Sequence, residues 1–204
     1  MIVNNFETFP RERKTGEFYF VQIIERAKDN PDKKWLNGGN SCRVLKSYSI
    51  SSLPELTKRT PIIKEYCEKY NARCYIHPAR RSEYTIACTM VQMLWEYLTK
   101  HNHNLSRLYD SACGHDTGVE RLWIIDIDDK DIVIDDIMNP ILVRSLWKKE
   151  IRRWVNPTLN GYHIITTPFD LRILDWKYDI HKNNPTLLYC NIQTWLNEKE
   201  PAIK

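Results

Sequence analysis

Asp126 and Asp128 stand one residue apart at the end of Leu122-Trp123-Ile124-Ile125-Asp126-Ile127-Asp128, the clearest strand of the sequence. In a strand such residues project from one face, with Cα atoms about 7 Å apart, while Ile125 and Ile127 turn to the other. Neighbouring carboxylates repel, so a basic side chain, a proton or a metal ion has to offset their charge. Paired aspartate oxygens suit Mg²⁺ or Mn²⁺. A solvated loop, Asp128-Asp129-Lys130-Asp131, starting where the strand ends at Ile127 accounts for the same residues equally well.

Two further segments carry chemistry-bearing residues. Gly161-Tyr162-His163 opens the apolar run that ends at Thr167. The glycine admits a backbone or a ligand at close range, and the imidazole can donate to a phosphate or serve as a structural hydrogen-bonding group. Asp179 lies in Tyr178-Asp179-Ile180-His181, ahead of a turn, Lys182-Asn183-Asn184-Pro185, and the apolar stretch to Tyr189. Alone, it reads equally as an edge-strand aspartate.

The elements that must position these residues follow from periodicity and punctuation. Gly16–Ile24 and Cys42–Ile50 read as strands separated by a turn at Asn37–Asn40. Ser51-Ser52 with Glu55 signals a helix start, and Leu56, Ile62, Ile63, Tyr66 and Tyr70 fit a helix interrupted or restarted at Pro61. Asn71–His77 reads as a strand. Ser82–Tyr97 reads as a long helix with Ala87, Met90, Val91, Leu94 and Leu98 on one side. Beyond a polar passage from Asn102 to Gly118, the spacing predicts a helix over Asp136–Trp147 with Pro140 in its first turn. It also predicts a strand over Gly161–Thr167, a short helix over Phe169–Leu174, and a strand pair over Lys177–Cys190 turning at Lys182–Pro185. A soft boundary falls near Gly118.

Composition bounds the rest. With 204 residues, 42% hydrophobic side chains, six glycines and ten prolines, the chain is a folded domain rather than a disordered or fibrous one. No apolar run approaches the roughly 20 residues that span a bilayer, and Met1–Glu7 lacks a signal-peptide pattern. A soluble cytoplasmic protein with reduced thiols is expected. The six cysteines form no Cys-x-x-Cys pair, which disfavours zinc. The net charge of +4 is modest, but its distribution is blocky. Seven basic residues lie between Thr57 and Arg81, among them Arg73, Arg80 and Arg81, and five between Arg144 and Arg153. Six aspartates lie between Asp126 and Asp136. An acidic cation site flanked by phosphate-attracting surfaces is one reading of these blocks, and solvated faces are the other.

The order hydrophobic-Asp-x-Asp, small-x-His, hydrophobic-Asp resembles the motif set of the archaeo-eukaryotic primase superfamily, which includes the primase–polymerases. Trp123–Asp128 matches the first motif, Gly161-Tyr162-His163 the second and Tyr178-Asp179 the third. The lysine-asparagine turn at Lys182-Asn183 and the apolar stretch after it are similar to that branch as well. The motif-bearing match runs from Arg121 to Tyr189. It implies an α+β catalytic core, an N-terminal α/β unit (residues 1–117) packed on a sheet like the RNA-recognition fold (118–204) with flanking helices. Asp126, Asp128 and Asp179 would bind Mg²⁺ or Mn²⁺. His163, with Lys182, would hold a nucleoside triphosphate. Arg73, Arg80 and Arg81 would meet a nucleic-acid template, and no membrane is involved. An arginine that some relatives carry after the third motif is replaced here by Asn183-Asn184-Pro185. The 204 residues hold no zinc-binding insertion or helicase region, so a helicase or other replication partner is implied for template engagement. The acidic residues also suit a nuclease or a small-substrate nucleotidyltransferase, and the basic blocks suit a non-catalytic nucleic-acid-binding protein.

Overall fold

The computed structural model describes residues 2–8, 14–31, 33, 41–102, 104–145, 153–174 and 177–192. These residues form a mixed α+β structure of four α-helices and two antiparallel sheets. In chain order the elements are β1 (Ile2–Asn4), β2 (Glu17–Arg26), β3 (Cys42–Ile50), α1 (Leu53–Tyr70), β4 (Arg73–Ile76), β5 (Arg81–Ser82) and α2 (Glu83–Lys100). Then come α3 (Leu108–His115), β6 (Trp123–Ile127), α4 (Ile134–Ser145), β7 (Arg153–Pro157), β8 (Tyr162–Thr166), β9 (Asp179–His181) and β10 (Thr186–Asn191). Among the described residues no helix is long and apolar enough to cross a membrane.

The larger sheet has the order β1-β10-β4-β2-β3, with β5 paired to β2. β2 is buried on both faces because both are covered. Tyr19, Val21 and Ile23 pack with Leu56, Ile63 and Cys67 of α1. Phe18 and Phe20 turn the other way, onto Ile86 and Met93 of α2 and Ala112 and Cys113 of α3. β3 and β4 flank β2, and both run antiparallel to it. They are therefore parallel to each other, joined by α1 in a split βαβ unit.

The smaller sheet has the order β7-β8-β6-β9. One face, through Ile125, Ile127 and Ile164, is covered by Ile137, Met138 and Ile141 of α4 and by Leu174. Each of these large side chains contributes roughly 1.5–3 kcal/mol by leaving water. The opposite face looks toward the larger sheet. Asn5, almost fully buried, ties the two together: its amide donates to the carbonyls of Pro157 (3.0 Å) and Leu187 (2.8 Å).

Local signals explain the boundaries. The Ser52 hydroxyl accepts from the Glu55 amide (3.4 Å), and the Glu55 carboxylate accepts from the Ser51 amide (2.9 Å), a reciprocal cap for α1. Asn71, at φ 48°, ends it. α1 is not broken at Pro61. The lost N–H bond falls on the solvent side, between exposed Thr57 and exposed Pro61, where water can satisfy the carbonyl. Pro140 likewise sits in mid-helix, because α4 begins at Ile134 rather than Asp136.

Three other expectations are corrected. The stripe Ala87, Val91, Leu94 and Leu98 of α2 faces solvent, with Met90 half-buried, and the inward residues are Ile86 and Met93. The polar passage after Asn102 contains α3, buried through Ala112 and Cys113. Finally, β9 and β10 are not partners. β9 pairs with β6 in the smaller sheet, whereas β10 pairs with β4 and β1 in the larger one, although it lies well past residue 118. The link Lys182–Pro185 is a crossover between sheets. The expected turn at Asn37–Asn40, the end of the expected helix at 146–147 and most of the basic stretch from 144 to 153 lie outside the described residues.

Candidate functional site

Period-two geometry puts one row of side chains across the smaller sheet. Asn156 of β7 faces His163 of β8, which faces Asp126 of β6, which faces Asp179 of β9. Directly opposed residues share a face, and this row lies on the face turned toward the larger sheet. His181, two residues beyond Asp179, belongs to that face as well.

Asp126 sits between two imidazoles. His163 Nε2 is 3.3 Å from Oδ1, and His181 Nε2 is 3.6 Å from Oδ2. The bond from His163, with the charge of both rings, holds the Asp126 carboxyl below the ordinary carboxylate range, against the upward push of partial burial. His163 is fixed from behind. Its Nδ1 is 2.9 Å from the hydroxyl of buried Thr186, which in turn accepts from the Asn156 amide at 3.2 Å. The Thr186 hydroxyl keeps a second lone pair as well as its proton, so it can meet Nδ1 as donor to a neutral ring or as acceptor from a charged one. On the other side of the ring the Asp126 carboxylate can only accept, so Nε2 carries a proton toward it.

Gly161 positions this corner. A Cβ built there would lie 1.9 Å from the Ile127 carbonyl oxygen. The close approach foreseen at this glycine is therefore by the backbone that leads from β6 into Asp128.

A cleft of about 600 Å³ separates the two sheets. Asp126, Asp128, His163 and His181 line one wall. Arg26, Lys28, Arg73 and Tyr75 line the other. The Tyr75 hydroxyl accepts from Arg26 (3.1 Å), and Asp29 accepts from Arg73 Nε (2.7 Å) in a two-pronged pair. Partial desolvation, together with the charges of Arg26 and Arg73, lowers the exposed Lys28 ammonium from its ordinary value against the pull of Asp29 and Asp128. Among the described residues neither Arg26 nor Lys28 has an ion-pair partner. Three crowded cations opposite carboxylates and imidazoles make a wall suited to anionic oxygens.

The sequence-derived residues divide clearly. Asp126, Asp128, His163 and Arg73 meet in the cleft. Asp179 is opposite Asp126 in register but exposed, and it does not line the cleft. Lys182 is not on the cleft. Its ammonium sits 5.3 Å over the ring of Trp123, whose neighbour is Phe169, on the other face of the sheet.

Arg80 and Arg81, expected at a template surface, are both buried. Arg80 pairs with Glu17 (2.9 Å) and Glu120 (2.7 Å). Arg81 is wholly enclosed, donating to the Cys113 carbonyl (3.1 Å) and the Asn183 side chain (3.0 Å) and contacting His77 Nδ1 (2.8 Å). Both guanidiniums fasten elements together and are out of reach of a template. Among the described residues no three His, Cys, Asp or Glu side chains are gathered closely enough to hold a metal ion.

No protein-family model, curated protein or solved structure matches the chain. The site must be read from its own geometry. That geometry adds Arg26, Lys28, His181, Asn156 and Thr186 to the residues that sequence reasoning singled out. His181 had a usable signal, its two-residue spacing from Asp179. Arg26 and Lys28, at and just after the end of β2, and Thr186 on β10 reach the site only through the docking of the larger sheet, and Asn156 reaches it from β7 beside His163.

Proposed function

We propose that the chain is a metal-dependent nucleotidyltransferase of the primase–polymerase type, extending or initiating a nucleic-acid strand on a template. The observation that carries this reading is the opposition across one cleft of Asp126, Asp128 and His163 to Arg26, Lys28 and Arg73. The connectivity β6-α4-β7-β8, a short helix at Leu171–Leu174, then β9, in the order β7-β8-β6-β9, supports it too. RNA-recognition folds share this split arrangement, and here the acidic motif lies on the central strand β6.

Asp126, Asp128 and Asp179 are carboxylates of the type that ligate a divalent cation, but as placed they do not converge on one. Asp126 and Asp179 are opposed and Asp128 is two residues on, and the last two are exposed side chains whose rotamers can turn inward. These three carboxylates would hold Mg²⁺ or Mn²⁺, which when bound neutralises triphosphate charge and activates an attacking hydroxyl. Arg26 and Lys28 bind phosphate oxygens, and Tyr75 fixes the Arg26 fork. His163, locked by Thr186, presents an Nε2 proton at the acidic wall.

The test is incorporation of a labelled nucleotide on a primed template with Mn²⁺. Asp126→Asn is expected to lose more than the roughly 10–100-fold that outer-shell changes cost, with an unchanged circular dichroism spectrum. Undiminished synthesis by that variant contradicts the proposal. One observation favours a second reading, a non-catalytic nucleic-acid binder: two imidazoles already compensate Asp126. Binding that weakens steeply with salt and ignores Mg²⁺ would support that reading instead.

A further inference from the structure

The outward face of α2 has a composition that solvent alone does not explain. Tyr84, Val91, Trp95 and Leu98 are 79, 69, 66 and 62% exposed, and Cys88 is exposed between them. Residues 84, 88, 91, 95 and 98 recur at alternating steps of four and three, the seam spacing of paired helices. The seam is about 21 Å long. Its flanks are Thr85, Ala87, Gln92, Leu94 and Thr99, without a charge, and Glu96 is the one charged side chain between Glu83 and Lys100.

We infer that this face pairs with the α2 of a second copy of the chain, antiparallel about a two-fold axis. In that arrangement Val91 packs against the second copy's Trp95, and Cys88 against its Leu98, so a small side chain meets a large one in every central layer. The acidic end at Glu83 then lies beside the basic end at Lys100, and the helix dipoles oppose, whereas a parallel pair would set Glu83 beside Glu83. A foreign helix is selected by charges on the flanks, and these flanks have none. A membrane surface or a nucleic acid would call for lysine or arginine along the face, which is equally missing. Two tryptophans and two tyrosines, each carrying roughly 150–250 Å², supply much of the area. With the valine and leucine pairs the interface reaches the roughly 1,000 Å² of a stable association. None of the seam residues lines the cleft, so the pairing is independent of the catalytic reading.

Sedimentation of the full chain over micromolar concentrations tests it. The wild type is expected to shift from one to two monomer masses. Val91→Glu should raise the dimer Kd more than about a hundredfold by placing like charges in the seam, with its circular dichroism unchanged. In a Cys42→Ser background, Leu98→Cys with native Cys88 is expected to form interchain disulfides on mild oxidation, while native Cys88 alone does not. A wild type that stays monomeric, or a dimer indifferent to Val91→Glu, overturns the inference. Self-crosslinking through Cys88 alone would mean a parallel pair and overturns it as well.

Discussion

The Thr186 hydroxyl fixes the ring of His163 in place, because it is hydrogen-bonded to Nδ1 on the side away from Asp126. It accepts from buried Asn156 and is bonded to Nδ1 of half-buried His163. Thr186→Val keeps the shape and removes both bonds. It should cost about 1–3 kcal/mol in urea unfolding, the penalty for stranding buried polar partners, and should lower nucleotide incorporation. An unchanged unfolding midpoint would show that the relay is not formed. On the opposite wall, Lys28→Met removes an exposed cation that partial desolvation, Arg26 and Arg73 disfavour and Asp29 and Asp128 favour. Stability should hold or rise while triphosphate affinity, read by calorimetric titration, falls. Unaltered affinity would remove Lys28 from the phosphate wall. At this scale Asp126, Asp128 and His163 were legible in the sequence because strand alternation is local. Arg26, Lys28 and Thr186 were not, since only the docking of one sheet on the other brings them opposite those residues.

Two elements are placed by buried polar groups rather than by propensity. The crossover Lys182–Pro185 is held where Asn183 accepts from Arg81 (3.0 Å) and donates to the Gly114 carbonyl (3.1 Å). That anchor lies where β9 goes to one sheet and β10 to the other, which sets His181 on the cleft and Thr186 behind His163. The turn-like composition of 182–185 was visible in the sequence. The destination of the next strand depends on a guanidinium a hundred residues away, and local pattern carries no trace of it. The facing of α2 was misread for a related reason. Its outward side is as apolar as its inward side, so periodicity had two answers. Between β6 and β8 the constraint is steric. Gly161→Ala would push a methyl group into the Ile127 carbonyl. It should destabilise the fold by at least about 2 kcal/mol, the scale of overpacking, measured from the denaturation midpoint. A neutral result would show that this backbone contact is loose.

The whole molecule gathers its stability from two antiparallel sheets whose junction encloses titratable groups. His77, buried beside Arg81, has its pKa pushed down to about 3 from an ordinary 6.5. The unfolded chain therefore takes up a proton below pH 6.5 that the folded chain refuses until about pH 3. Stability should fall through that window, by up to about 1.4 kcal/mol per pH unit. His77→Gln should flatten the slope, and a wild-type profile flat from pH 6.5 to 4 would contradict the burial. Asp126 acts in the same direction. Its lowered carboxyl pKa gives stability that is present above the carboxylate range and lost as pH falls through it. The acidic strand was legible from alternation, whereas the second sheet was implied by the resemblance and not by the residue pattern. The sharing of β10 between distant parts of the chain was not legible. The most direct test of the central claim is a crystal of the chain soaked with Mn²⁺ and a non-hydrolysable nucleoside triphosphate. Anomalous density is expected beside Asp126, with a triphosphate lying against Arg26 and Lys28. Manganese and nucleotide bound away from this cleft would contradict it.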